Sequence, residues 1–119
     1  MAITMQHERD NIYRLEVSGL LKKADMDQWQ DALIVEMARI GPVRLLFLLK
    51  GFDGWERNAD WSDLTFYVKH GDKIERIAIV GDERWRSEAL MFAGADLRRA
   101  PVEFFGEKAL GNARTWLSS

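Results

Sequence analysis

Three charged residues have the sequence context that chemistry would need. Lys50, Asp82 and Glu107 each follow the end of a short apolar run: Val43–Leu49, Ile74–Val80 and Val102–Phe105. If those runs are parallel strands, their carboxyl ends lie along one border, where open α/β sheets bind ligands. Trp55 and Arg57 would stand beside them, giving a small polar site with an aromatic wall. General acid–base work by Lys50, Asp82 or Glu107 would require burial in a cleft and a displaced pKa. The plainer assignment is that Asp82 caps a helix, Glu107 answers a helix dipole and Lys50 ends a strand in water.

Other chemistries find less in the chain. His7 and His70 fall on separate elements, with no Asp, Glu or His at metal-ligand spacing, so no metal is expected. The five serines (Ser18, Ser62, Ser87, Ser118 and Ser119) include no Gly-x-Ser-x-Gly elbow. Gly81-Asp82 lacks the glycine-rich or Gly-Lys-Ser/Thr pattern that surrounds a phosphate with backbone N–H groups, which argues against nucleotide binding. Arg84, Arg86, Arg98 and Arg99 are interleaved with Asp82, Glu83, Glu88 and Asp96, a mixed-charge surface rather than a nucleic-acid footprint. No cofactor is implied, and the expectation is a protein that is not an enzyme.

The elements that would carry these residues are legible. Ile3–His7 and Ile12–Leu20 read as two strands joined by the polar cluster Glu8-Arg9-Asp10-Asn11, an antiparallel hairpin. A helix begins near Asp25, with Gln28 in capping-box spacing. Met26, Trp29, Leu33, Met37 and Ile40 form its apolar stripe, and Gly41-Pro42 ends it. The strand Val43–Leu49 follows, then a loop over Gly51–Arg57. Asn58 or Asp60 would cap a second helix with Trp61, Leu64 and Val68 on its inner side, ending at Gly71. After the strand Ile74–Val80, Asp82 caps a third helix bearing Trp85, Ala89 and Phe92, broken near Gly94. Val102–Phe105 is the last strand and Glu107–Leu117 the closing helix. The order β-β-α-β-α-β-α-β-α predicts an α/β fold with a mixed, mostly parallel sheet. Leu45–Leu49 is apolar at every position, so both faces of that strand must be covered: by helices, by a partner subunit or by an apolar ligand.

Composition sets the bounds. A chain of 119 residues with 47% hydrophobic and 30% charged residues fits one globular domain spanning 1–119. The net charge of −2 gives no pull toward nucleic acid or an anionic membrane. The absence of cysteine fits a reducing compartment. The first residues lack the shape of a signal peptide, and no apolar run approaches a membrane span, so the expected location is cytoplasmic.

The segment Arg76-Ile77-Ala78-Ile79-Val80-Gly81-Asp82-Glu83-Arg84-Trp85 resembles the signature of the SpoIIAA-like family. So does Val102-Glu103-Phe104-Phe105 with the following helix that ends Ala113-Arg114-Thr115-Trp116-Leu117. The resemblance implies a fold of the STAS and CRAL-TRIO type and a homodimer; the family's members are small bacterial proteins, mostly without assigned activity. Better-known relatives antagonise anti-sigma factors and carry a phosphorylatable serine in an Asp-Ser-Ser-Gly-like turn after the central strand. The matching segment here, Leu49-Lys50-Gly51-Phe52-Asp53-Gly54, has no Ser or Thr, so no phosphosite is carried over.

These readings combine into one expectation. The chain is a binding or regulatory domain that acts through protein–protein contact across the loop and helix at 51–68. Phe52 and Trp55 are its exposed anchors, and Lys50, Trp61 and Asp82 complete the site. The alternative is a carrier or sensor of a small apolar or lipid-like ligand, held between the sheet and the helix of Trp61, Leu64 and Val68. That reading requires an enclosed apolar cavity above ~300 Å³.

Overall fold

A computed structural model describes residues 3–61 and 65–119. Strands β1 (Ile3–Arg9) and β2 (Ile12–Leu21) form the antiparallel hairpin. Its turn is Asp10-Asn11, shorter than the four-residue cluster expected from polarity. Asp10 takes φ +47°, a left-handed conformation that aspartate tolerates. Helix α1 (Lys23–Ile40) buries Trp29, Leu33 and Met37, the centre of the expected stripe. It starts earlier than Asp25, which lies in the first turn instead of capping it. The backbone N–H of Lys23 is held from another element: it donates to Glu56 Oε1 at 3.0 Å.

Strand β3 (Val43–Trp55) overturns the expected loop at Gly51–Arg57, because the chain stays extended beside β2 through Trp55. Leu49 pairs with Val17 but Phe52 with Gly19, so β3 carries an extra residue there. Gly51 absorbs it at φ +59°. A second slip follows, with Leu20 opposite Gly54, and a Cβ on Gly54 would sit 3.4 Å from the Trp85 ring. The Leu49–Gly54 segment compared with the phosphorylatable turn is therefore bulged strand and not a turn.

Helix α2 (Thr65–His70) is shorter than the expected helix from Asn58, and residues 56–61 are irregular. Leu64 lies outside the described residues. Val68 is 75% exposed, so it does not face the sheet as its spacing from Trp61 suggested. Strand β4 (Ile74–Gly81), a 3-10 turn at Glu83–Trp85, helix α3 (Arg86–Phe92), strand β5 (Val102–Gly106) and helix α4 (Leu110–Ser118) complete the chain. Glu107 precedes α4 and is not in its first turn.

The sheet order is β1-β2-β3-β4-β5, with β2 to β5 parallel. Each crossover steps the same way across the sheet, and right-handed connections then place α1, α2 and α3 on one face. Trp29, Leu33, Phe66 and Ala89 pack there on Leu45, Phe47, Ile77 and Ile79. Helix α4 folds back over the opposite face, setting Ala113 and Leu117 against Leu46, Leu48, Ala78 and Val80. This fourth helix covers the second face of β3.

Candidate functional site

The parallel pairing brings the ends of β3, β4 and β5 to one border, where Gly81 lies opposite Gly106. A polar hollow of about 240 Å³ sits there, lined in part by Asp53, Asp82, Arg84, Trp85 and Glu107. Asp82 and Glu107 thus meet as expected. Asp82 uses a carboxylate oxygen to accept the Arg84 backbone N–H at 2.9 Å, so it caps the turn that leads into α3. Lys50 does not join them: its Nζ lies 3.2 Å from Glu16, a pair exposed on the α4 face of the sheet. Arg57 is exposed outside this hollow. Lys50, Asp82 and Glu107 are all exposed, so the acid–base assignment lacks the burial it required. Among the described residues, no three His, Asp or Glu are grouped to hold a metal ion.

Beside the polar hollow stands a chain of aromatic rings. Phe52 is only 3% exposed, which corrects its expected role as an exposed anchor. The β3 bulge turns it inward, where it meets Trp55 edge-on at 4.9 Å and Trp85 at 5.0 Å. Trp55 is half-buried and stacks on Phe92 with centroids 4.3 Å apart. Phe92 receives the Trp61 ring at 5.5 Å, and Trp61 Nε1 donates to the Glu56 carbonyl at 2.8 Å. Phe52, Trp55 and Trp61 are therefore joined through Trp85 and Phe92. The sequence assigns those two rings to one helix with Ala89. It carried no signal that they would meet the end of β3.

Two small cavities flank the Trp55–Phe92 stack, and both rings line both of them. The inner cavity, about 70 Å³, is apolar and bounded by Val17, Leu21, Phe47, Ile79 and Ala89. The outer crevice, about 90 Å³, lies among α1, α2 and the segment after α3. Its walls include Lys23, Gln30, Trp61, Phe66, Tyr67 and Arg98. Arg98 Nε donates to the Ala93 carbonyl at 2.6 Å, and the guanidinium lies 4.9 Å from the Tyr67 ring centroid. The Tyr67 hydroxyl donates to the Leu97 carbonyl. Arg98 Nη1 is buried and has no acceptor. Burial pushes the Arg98 guanidinium down from its ordinary pKa, and Tyr67 acts in the opposite direction. In the sequence Arg98 was one charge among several in a mixed surface, and only the fold separates it from them.

The family profile described as SpoIIAA-like matches residues 12–118. The chain belongs to the SpoIIAA-like family. A similar solved structure is an uncharacterised DUF3478-family protein with a SpoIIAA-like fold from Shewanella loihica PV-4. It is 26% identical, with TM-score 0.71, and the match covers 98% of this chain and 92% of that one. The anti-sigma factor antagonist SpoIIAA, in its unphosphorylated form, is also similar. It is 11% identical, with TM-score 0.62 over 95% of this chain and 98% of the other, a likeness of fold alone. No curated protein sequence matches the chain. The SpoIIAA-like assignment spans β2 through α4, so the aromatic chain and both cavities lie inside the family domain.

Proposed function

We propose that this SpoIIAA-like chain is a non-enzymatic, cytoplasmic regulatory domain that binds a partner protein. Its working surface would be the β3 end, residues 56–61, α2 and the neighbouring end of α3. The observation that carries this reading is the set of exposed apolar residues on the elements that bear the aromatic chain and its crevice. Val68 on α2 is 75% exposed, Met91 on α3 67% and Leu97 after α3 62%, on the same segments that supply Phe66, Phe92 and Arg98 to the crevice walled by half-buried Trp55 and Trp61. Aromatic residues ringed by apolar side chains are the usual anchors of protein contacts. Trp55, expected as an exposed loop anchor, is half-buried in β3, and with Trp61 it would offer the partner only its outer part. Phe52 supports Trp55 from beneath and Asp82 lines the adjoining polar hollow, while Lys50 lies with Glu16 on the α4 face, away from this surface.

The alternative of an apolar-ligand carrier, on the CRAL-TRIO analogy, is less well supported. The inner cavity of about 70 Å³ is far below the size of an ordinary ligand site. Self-association is compatible with the partner reading. Strand β1 is a free sheet edge, and its unpaired backbone groups could receive β1 of a second copy.

A photo-crosslinking residue placed at Met91 tests the partner reading in the protein's own host. The expected result is one discrete hetero-adduct, absent when the same residue replaces exposed Arg9 at the far hairpin. Equal adducts from both positions, or adducts only between copies of this chain, would overturn it.

A further inference from the structure

Among the described residues, the outer crevice carries a guanidinium at its wall with no carboxylate opposite it. Arg98 makes one hydrogen bond, through Nε, and Nη1 is buried without an acceptor. Among the described residues Arg98 forms no ion pair, and its guanidinium is met by the Ala93 carbonyl and the Tyr67 ring. The other cation on the crevice, Lys23, already pairs with Asp27. A guanidinium with a buried, unpaired N–H group and no carboxylate is costly, and an anion reaching its remaining N–H groups would add charge-assisted bonds. The remaining walls are the Gln30 amide, Met26 and the rings of Trp55, Trp61, Phe66 and Phe92. An occupant must therefore bring one negative group on an apolar body. The volume of about 90 Å³ suits a single side chain better than a free metabolite.

We infer that this crevice is a carboxylate-recognition pocket: Arg98 receives a glutamate or aspartate of the partner protein, and an adjacent apolar partner residue packs on Trp61 and Phe66. The inference rests on the partner reading above and gives that partner a chemistry. Charge selects the anion, and the aromatic wall rejects highly hydrated ones such as inorganic phosphate.

The pocket can be tested without the partner. The capped dipeptides acetyl-Phe-Glu-amide and acetyl-Phe-Gln-amide, and phenylacetate, are titrated into the intact protein while its amide and indole N–H resonances are followed. The glutamate peptide should give saturable shifts confined to residues around Trp61, Tyr67 and Arg98. The glutamine peptide should bind about tenfold more weakly, the worth of a charge-assisted pair. Arg98→Met, which keeps an apolar stem in place, should remove the difference between the two peptides. Arg98→Lys should restore part of it. The peptide comparison on the wild-type protein stands by itself if Arg98→Met fails to fold.

Equal binding of both peptides, or shifts away from the crevice, would overturn the pocket. Binding of phenylacetate with none of the glutamate peptide would overturn the protein source and leave a small carboxylate. Neither result touches the crosslinking test at Met91, so failure here and failure of the partner reading are distinguishable.

Discussion

The indole of Trp55 and the ring of Phe92 lie face to face, 4.3 Å between centroids and 13° between planes, and form a shared wall of two cavities. One ring comes from the bulged end of β3, the other from the last turn of α3. Replacing Phe92 with alanine should merge the inner and outer spaces. Phe92 is 36% exposed, so the loss is expected to be about 1–2 kcal/mol, below the cost of a fully buried phenylalanine. Urea unfolding measures that cost. Increased binding of a fluorescent apolar dye to the folded variant would report the merger, and unchanged dye binding would argue against a shared wall.

Glu56 caps a helix to which it does not belong. Its carboxylate accepts the Lys23 N–H at 3.0 Å, supplying the N-terminal acceptor that α1 lacks from its own side chains. Glu56→Ala should cost about 1 kcal/mol, and Glu56→Gln less, because the amide oxygen still accepts. Amide exchange should quicken first in the opening turn of α1. Because Trp61 Nε1 bonds the Glu56 carbonyl, the same variants should shift the Trp61 indole resonance.

Two glycines should respond with opposite signs. A Cβ on Gly81 would lie 2.9 Å from Leu49 Cβ, between neighbouring buried strands where neither backbone can retreat. Gly81→Ala should destabilise by about 1–3 kcal/mol. Gly111 has open space around its Cβ position and lies inside α4. Gly111→Ala should stabilise by about 0.5–1 kcal/mol. Thermal melts of both variants check the pair.

Stability should fall at both pH extremes for identifiable reasons. The Arg39 guanidinium, with the Tyr13 hydroxyl at 2.7 Å, holds the Glu36 carboxyl below its ordinary 4.5. Arg44, then Asn11, do the same for Glu75, and Arg86 for Glu83. A carboxyl with a depressed folded pKa stabilises above its unfolded value. That stability drains away as pH drops from about 4.5 through the folded values. Burial, then the bond to Glu36, raises Tyr13 above 10.0, so its share persists to that pH and is lost as pH climbs through the raised value. Glu75→Gln should flatten the acid side of a plot of urea midpoint against pH. Tyr13→Phe should cost about 1 kcal/mol at neutral pH and flatten the alkaline side.

How much of this was readable in advance varies by element. The stripe Trp29, Leu33 and Met37 and the apolar runs of β3 and β4 appear in the structure as their periodicity implies, because burial of one face is imposed on every turn of the helix. Gly51 is where sequence propensity and structure part at the end of β3. A glycine after a lysine marks a turn by propensity, but here it marks a bulge within a strand paired to β2, and local preference cannot distinguish the two. Phe52 followed that error: assigned to a loop it reads as exposed, assigned to a bulged strand it is core. Val68 was misplaced because its spacing from Trp61 assumed one continuous helix.

Short-range periodicity determined the β-β-α-β-α-β-α-β-α order and the parallel sheet, since apolar repeats and helix stops act over a few residues. The same logic placed Asp82 on a rim with Glu107. Tertiary structure alone decided that Lys50 leaves that rim for Glu16, that α4 seals the second face, and that Arg98 is stranded beside Tyr67 with Nη1 unanswered. These are relationships between residues many positions apart. Their energies depend on distance and on exclusion of water, and neither is written in the order of the residues.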